Sequence, residues 1–158
     1  MKKYIIILFL SIVNSQLANA QIGKWRAYMA YYDVQQIQKA GNELFVMASN
    51  DLYQYNLNDQ SIYTYDKTNG MSYTYLTHIK WCPKAERLIA VYQNSNIDLV
   101  SLENDVVNVS DLYTKVITGD KTINHITIYE QYAYLACGFG IVKLDVANYE
   151  ISESYMLK

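Results

Sequence analysis

Two histidines are the residues of this sequence most able to do chemistry. His78 and His125 are the only histidines, and each is the third residue of a similar segment, Leu76–Ile79 and Ile123–Ile126. Such a pair could act as metal ligands or as a general base. Zinc normally takes three or four protein ligands, and no HxxxH, CxxC, DxDxDG or acidic cluster supplies the others. The repeated position favours a packing role, so we predict no metal, cofactor or catalytic site.

The other candidates for catalysis are two cysteines and three aspartates. Cys82 and Cys137 lie in apolar segments where a thiolate is disfavoured. A disulfide between them depends on geometry, and burial as two small apolar side chains is the favoured interpretation. Asp105, Asp111 and Asp120 could supply a pair of glycosidase carboxylates, but acidic residues in loops usually face water. With no G-x-S-x-G motif either, we predict that the protein is not an enzyme.

Tyrosine is the most unusual feature of the composition, with 17 residues against 3 phenylalanines. Tyrosine gives a wide contact area at low entropic cost, so the tyrosines between positions 28 and 75 could form a carbohydrate- or protein-binding surface. These are Tyr28, Tyr31, Tyr32, Tyr53, Tyr55, Tyr63, Tyr65, Tyr73 and Tyr75. Within residues 53–55 and 63–65 they alternate with the period of one strand face, which favours packing within sheets.

Composition and charge narrow the class of protein. The 158 residues are 51% apolar and 18% charged, which excludes a disordered polar chain. The formal charge is −2 and there is no basic stripe, so a nucleic-acid partner is excluded too. Partners are expected to be proteins or carbohydrates.

The first twenty residues have the pattern of a Sec signal peptide. Lys2 and Lys3 precede an uncharged apolar run at positions 4–13, and Ala18-Asn19-Ala20 is a small-x-small cleavage site before Gln21. The run is too short to span a bilayer, which takes about 20 apolar residues. We expect one mature domain over residues 21–158 that is not membrane-spanning after cleavage.

An internal repeat follows. Residues 44–55, 88–99 and 134–144 align, each as an apolar run, a short break and a second strand. Their anchors Leu52, Ile97 and Ile141 are 45 and 44 residues apart. Such a period with several strands per unit is typical of β-propeller blades. The sequence predicts an all-β fold of about three blades, each of four antiparallel strands.

Further apolar segments complete each unit. First strands are predicted at 34–37, 76–79 and 123–126, and outer strands at 61–65, 106–109 and around 150–151. A helix over 34–45 is the alternative for the first unit, but Gly41-Asn42 interrupts it. The predicted core side chains are Leu44, Val46, Leu88, Val91, Leu135 and Ile141.

These segments resemble a known family. The mature start at residues 21–31, the runs 48–53 and 138–144, and the segment 65–72 look like the N-terminal β-propeller of PorZ-type proteins. Asn69-Gly70-Met71-Ser72 is also similar to the blade junction of two-component-regulator propellers, usually written Gly-Leu-Ser. The resemblance covers residues 21–158.

The resemblance implies a non-catalytic component of the type IX secretion system that supports protein export and cell-surface attachment. It implies a location in the periplasm or at the outer-membrane cell surface, a sortase-type partner and contact with anionic lipopolysaccharide. The alternative is a periplasmic glycan-sensing propeller of a hybrid two-component regulator. Because propellers need at least about four blades, we expect three units to be part of a longer protein.

Overall fold

Three antiparallel sheets of four strands follow one another along residues 31–156, which are the residues that the computed structural model describes. Sheet 1 comprises β1 (Val34–Ala40), β2 (Glu43–Ala48), β3 (Asp51–Asn56) and β4 (Ile62–Tyr65). Sheet 2 comprises β5 (Leu76–Cys82), β6 (Arg87–Tyr92), β7 (Ile97–Val100) and β8 (Val106–Val109). Sheet 3 comprises β9 (Ile123–Tyr129), β10 (Tyr132–Cys137), β11 (Gly140–Asp145) and β12 (Glu150–Met156). The predicted all-β class and four-stranded blades are confirmed.

The first strands are longer than predicted and exclude the helix considered for 34–45. Strands β1, β5 and β9 each run three residues further than the sequence indicated, because residues 38–40, 80–82 and 127–129 still pair with the neighbouring strand. Two short helices were not predicted, a 3₁₀ turn at Lys67–Asn69 and the one-turn helix α1 at Asp111–Thr114. The predicted signal peptide and residues 21–30 lie outside the described residues.

The reversals between second and third strands use left-handed backbone. Ser49 and Asn50 have φ of 51° and 64°, and Ser95 has 67°. Gly140 has φ of 152°, and a Cβ there would overlap the carbonyl oxygen of Tyr155 on β12. Glycine at this position therefore allows close approach of the outer strand as well as the turn.

Two clusters of buried side chains join the sheets. The first junction, between sheets 1 and 2, includes the aromatic residues Phe45, Tyr65 and Tyr92. The second junction, between sheets 2 and 3, is aliphatic apart from two cysteines and Phe139. Its central members are Ile89, Val91, Ile97, Leu99, Ile126, Leu135, Val142 and Leu144. The core therefore lies between the sheets, as expected for adjacent propeller blades.

Four of the six predicted core residues are buried: Val46, Leu88, Val91 and Leu135. Predictions for Leu44 and Ile141 are wrong, since Leu44 is half-buried and Ile141 is 42% exposed. Leu44 lies on the face of sheet 1 that points away from sheet 2, and Ile141 on the face of sheet 3 that points away from sheet 2. Neither face has a neighbouring sheet among the described residues.

The predicted alignment of the three repeats is correct at these positions. Leu52 and Ile97, the equivalents of Ile141, are 1% and 0% exposed because each faces the sheet that follows it. Leu88, the equivalent of Leu44, is fully buried against the sheet that precedes it. Leu44 and Ile141 thus lack the covering sheet that buries their equivalents, whereas Val46, on the same face as Leu44, is 4% exposed without one.

Candidate functional site

A groove runs along the inner rim where the first strands of the three sheets lie side by side. Its volume is about 300 Å³. The lining residues are Gln36, Ile37 and Gln38 from β1, His78, Ile79 and Lys80 from β5, and His125 and Ile126 from β9. The groove brings together the two histidines that the sequence analysis singled out.

Glutamine side chains from β1 satisfy the free edge of β5. Gln36 donates from Nε2 to the carbonyl oxygen of Thr77 (3.2 Å) and accepts the amide of Ile79 at Oε1 (2.9 Å). Gln38 accepts the amide of Trp81 at Oε1 (3.2 Å). The inner strand of a blade has an unpaired edge, so these bonds join sheet 1 to sheet 2 and protect that edge.

His78 occupies the position in sheet 2 that Gln36 occupies in sheet 1. Each pairs with the equivalent residue of the second strand, Met47 for Gln36 and Val91 for His78, immediately after an irregularity in the register. The His78 ring contacts Thr77 Oγ1 on its own strand through Nδ1 (3.2 Å), and His125 and Ile126 of β9 line the groove beside it. His78 and Gln36 thus occupy equivalent positions, but only Gln36 bonds to the backbone of the next sheet.

Burial lowers the pKa of His78 below its usual 6.5. The nearby backbone of Asn124 opposes this lowering of the pKa, and the ring of His125 adds to it. His78 is consequently neutral at pH 7.

His125 is the third equivalent residue and is exposed on β9. Lys80 is the only other basic residue in the groove, and no carboxylate belongs to its lining. Among residues 31–156 there is no group of three His, Cys, Asp or Glu that could hold a metal ion. The arrangement can accept and donate hydrogen bonds along a strand edge.

Sequence reasoning missed Gln36 and Gln38. The available signal was positional, because Gln36 precedes Ile37 just as His78 precedes Ile79 and His125 precedes Ile126. A search for identical residue types overlooks an amide and an imidazole at equivalent positions.

A second polar centre holds the linker between sheets 1 and 2. The Asp98 carboxylate is fully buried on β7 and accepts hydrogen bonds from Tyr92 Oη (2.6 Å) and Asn108 Nδ2 (2.7 Å). It also accepts from the amide (2.8 Å) and hydroxyl (2.7 Å) of Ser72 in the linker. Four donors replace water around this charge, which is how a buried carboxylate is tolerated.

The Asn69-Gly70-Met71-Ser72 segment now has a physical explanation. Gly70 has φ of 113°, which ends the 3₁₀ turn, and Met71 is 6% exposed within the first junction. Ser72 then reaches Asp98. The segment turns, fills an apolar site and binds the next sheet with three consecutive residues.

The three aspartates considered for catalysis have separate structural contacts. Asp105 pairs with Arg87 (2.9 Å), and Asp111 begins helix α1. Asp120 accepts from the amide and hydroxyl of Thr122 (2.9 and 2.7 Å), and these bonds lower its pKa.

Both cysteines are buried and free. Cys82 donates to the carbonyl oxygen of Glu130 (3.4 Å) across the second junction. Burial, with the nearby charge of Asp120, raises the pKa of Cys137 to about 11, so this thiol is protonated at neutral pH.

The tyrosines divide between core and surface. Tyr65 is 2% exposed, with its hydroxyl 2.6 Å from both Gln54 Oε1 and Asn104 Oδ1, and burial raises its pKa. Tyr32 and Tyr75 are 84% and 52% exposed. Tyr31 stacks edge-on against Tyr53 at 4.8 Å. Tyr28 lies outside the described residues. Packing within sheets therefore accounts for some of these tyrosines and not for all.

A family model identifies the relationship that the repeat and the linker segment suggested. The model described as TSS9, PorZ, N-terminal beta-propeller domain matches residues 44–158. The chain belongs to this family. The resemblance to PorZ-type propellers is thus confirmed.

Solved structures agree with the PorZ assignment. PorZ of Porphyromonas gingivalis, described as an essential bacterial surface component of the type-IX secretion system, is 29% identical with a TM-score of 0.78. The match covers 84% of this chain and 18% of that one, so the chain spans about a fifth of the solved PorZ. A comparison with curated proteins finds no match.

More distant structures show the propeller fold alone. The extracellular domain of BT4673 from B. thetaiotaomicron, assigned to a hybrid two component system, is 16% identical with a TM-score of 0.61. The match covers 84% of this chain and 18% of the BT4673 chain. AztD from Citrobacter koseri is 14% identical, with a TM-score of 0.61, 80% of this chain covered and 34% of AztD. Within residues 31–156, no helix is long and apolar enough to cross a membrane.

Proposed function

We propose that this chain is a non-catalytic β-propeller interaction module of a PorZ-like protein in a type IX secretion system. In that role it supports the export of proteins and their attachment to the cell surface. The family match over residues 44–158 carries the proposal. The described site agrees with it, because the polar groups of the groove bind strand edges of the chain itself.

The proposed partners are other proteins of the secretion system, including one of the sortase type, and anionic lipopolysaccharide. A propeller suits such a role because its loops and rims present a large rigid surface without any need for a reactive centre.

The proposed location is the periplasm or the outer-membrane cell surface after Sec export. Cleavage between Ala20 and Gln21 would produce a mature chain whose first residue is Gln21. Mass spectrometry of the protein from the cell envelope should find that terminus. A terminus at Met1 would contradict Sec export and leave the family assignment intact.

Gene deletion tests the proposed role directly. In the native host, loss of the gene should reduce surface-attached cargo in the outer-membrane fraction, and the wild-type gene should restore it. A matched gene that lacks codons 2–20 encodes the same domain without the export signal and should fail to restore it. Unchanged cargo after deletion would overturn the proposal.

A glycan-sensing propeller of a hybrid two-component regulator is the second candidate. The likeness to BT4673 supports it, but at 16% identity that likeness concerns the fold, whereas PorZ reaches 29% and a higher TM-score. Under this alternative, deletion would leave cargo attachment unchanged and abolish a transcriptional response to a glycan. The same deletion strain therefore separates the two functions.

A further inference from the structure

We propose that a second groove, at the outer end of the first junction, binds a neutral sugar that stacks on Tyr63 and hydrogen-bonds with the amide and carboxylate side chains around it. This outer groove has a volume of about 380 Å³ and lies between strands β2 to β4 of sheet 1 and the β7–β8 reversal of sheet 2. Small-molecule sites usually have about 300–1,000 Å³. The inference goes beyond the proposed function, whose lipopolysaccharide ligand is anionic.

Strand alternation places polar side chains on the face of sheet 1 that packs against sheet 2. Residues 45, 52 and 65 are buried near the middle of this face. Two positions further along each of the same strands lie residues 43, 54 and 63, which therefore share that face. The lining side chains with polar atoms are Glu43, Gln54, Asn56, Ser61, Tyr63 and, from sheet 2, Asn104.

The equivalent positions in sheet 2 are apolar. Leu99 occupies the position of Gln54, and the two are 0% and 6% exposed. Val107 occupies the position of Tyr63. A buried amide costs stability unless its hydrogen bonds are formed, so packing alone favours leucine at this position. The polar side chain of Gln54 beside an open groove therefore indicates a role in binding.

The outer groove contains hydrogen-bond acceptors that its own residues leave free. The Tyr65 hydroxyl lies 2.6 Å from both Gln54 Oε1 and Asn104 Oδ1, but its single proton reaches only one of them. With the Asn104 amide turned over, Oδ1 is free instead, so either orientation leaves one acceptor for a ligand hydroxyl. Glu43 accepts from Asn56 Nδ2 (2.6 Å), and its second carboxylate oxygen has no partner among the described residues.

The chemistry of this lining selects the ligand. Carboxylate and amide oxygens accept hydrogen bonds from hydroxyl groups, and the Ser61 hydroxyl and the amide nitrogens can donate to them. Tyr63 is 38% exposed and packs edge-on against Tyr65 at 4.9 Å, so its ring is a fixed apolar surface. The lining has one carboxylate and no cation, which disfavours an anion. A neutral ligand with many hydroxyl groups and an apolar face is a sugar.

NMR titration of the full chain with the methyl glycosides of glucose, galactose and mannose tests the site. Each is added up to about 50 mM, because small ligands at open sites bind weakly. At least one should shift the side-chain amide signals of Gln54 and Asn104. The methyl glycoside of the corresponding uronic acid is the matched anionic probe. It should bind about fivefold more weakly or worse, because Glu43 repels its carboxylate.

Variants assign the binding to the outer groove. Tyr63→Ala should weaken binding about tenfold, whereas Tyr63→Phe keeps the ring and should stay within about twofold of wild type. Gln54→Leu copies sheet 2 and should also weaken binding about tenfold. Tyr75→Ala is the matched control, since Tyr75 is 52% exposed and lines a different cavity of the same junction. Its binding should equal that of wild type.

The absence of any shift with all three glycosides would overturn the proposal. Tighter binding of the uronic acid would overturn the neutral ligand, and an equal loss in Tyr63→Ala and Tyr75→Ala would overturn the location. If Gln54→Leu fails to fold, Tyr63→Ala at the exposed ring supplies the test. None of these results changes the outcome of the deletion experiment, so the site and the proposed function can fail separately.

Discussion

The two junctions join equivalent sheets with different chemistry. At the first junction, Gln36 and Gln38 hydrogen-bond with β5, Asn50 donates to Leu76 (2.9 Å) and Gln54 donates to Leu102 (3.4 Å). The aromatic rings of Phe45, Tyr65 and Tyr92 belong to the same junction. At the second junction, Cys82 donates to Glu130 (3.4 Å), Arg87 to Tyr149 (3.1 Å) and Ser95 to Lys121 (2.8 Å), and its core is mainly branched aliphatic side chains.

This difference shows which property the repeat preserves. Both junctions bury the same strand positions, so the spacing of inward-facing residues is common to the two. The residue types at those positions vary between the junctions, from partly aromatic in the first to mainly aliphatic in the second. Removal of one partner of a buried hydrogen bond leaves the other partner unsatisfied, which lowers stability. The stability of aliphatic packing depends instead on how completely the side chains fill the space between the sheets.

The largest expected effect is at Asp98, the buried acceptor beside the first junction. Asp98→Ala leaves Tyr92, Ser72 and Asn108 without their acceptor and should lower the free energy of unfolding by about 4 kcal/mol. Asp98→Asn keeps the shape and one acceptor oxygen, so about half that loss is expected. Urea denaturation measures both, and equal stability of Asp98→Ala and wild type would remove the contrast between the junctions.

Side-chain truncation probes the aliphatic junction. Leu135→Ala, in the buried centre, should cost about 3 kcal/mol. Ile141→Ala lies one strand away on the open face, where the residue is 42% exposed, and should cost less than about 1 kcal/mol. The two denaturation midpoints should separate clearly. Coinciding midpoints would mean that the open face of sheet 3 is covered.

A single hydroxyl tests the polar support of the first junction. Tyr65→Phe removes the contacts with Gln54 and Asn104 and should destabilise the protein by about 1 kcal/mol. Tyr63→Phe is the matched control on the same strand, since Tyr63 is 38% exposed, and should stay within about 0.5 kcal/mol of wild type. A larger loss of stability in Tyr63→Phe would argue against assigning the effect of Tyr65→Phe to the contacts of its hydroxyl.

The smallest expected effect is the reaction of the two cysteines with thiol reagents in the native protein. With its pKa raised to about 11, Cys137 has about one thiolate per thousand molecules at pH 8, and burial shields it as well. Iodoacetamide should therefore label neither cysteine in the native protein and both after unfolding in urea. Rapid labelling at pH 8 in the native state would show that the second junction opens globally.

Much of the fold could be predicted because its signals are local. Apolar runs that recur 45 and 44 residues apart located the strands, and the short breaks between them located the reversals, where Asn50, Ser95 and Gly140 have left-handed backbone. Burial at Leu44 and Ile141 could not be predicted, since an open face and a covered one have the same pattern. It depends on which sheet lies opposite.

The candidate site was harder to predict than the fold. The histidines were found by residue type. Their place in one groove depends on how the first strands of the three sheets lie side by side, which the sequence does not show. Asp98 did carry a signal, because a carboxylate inside the apolar strand Ile97–Val100 requires donors. Its partner Ser72 lies 26 residues away, and only the folded chain brings the two together.

The contact between Ser72 and Asp98 also sets where sheet 2 can be cut from the chain. Tyr53 and Val142 occupy the positions of Asp98 in the other two sheets, so this contact is specific to sheet 2. A fragment that begins at β5 would leave the acid without the two donors of Ser72, whereas one that begins near residue 66, just before the 3₁₀ turn, keeps them together.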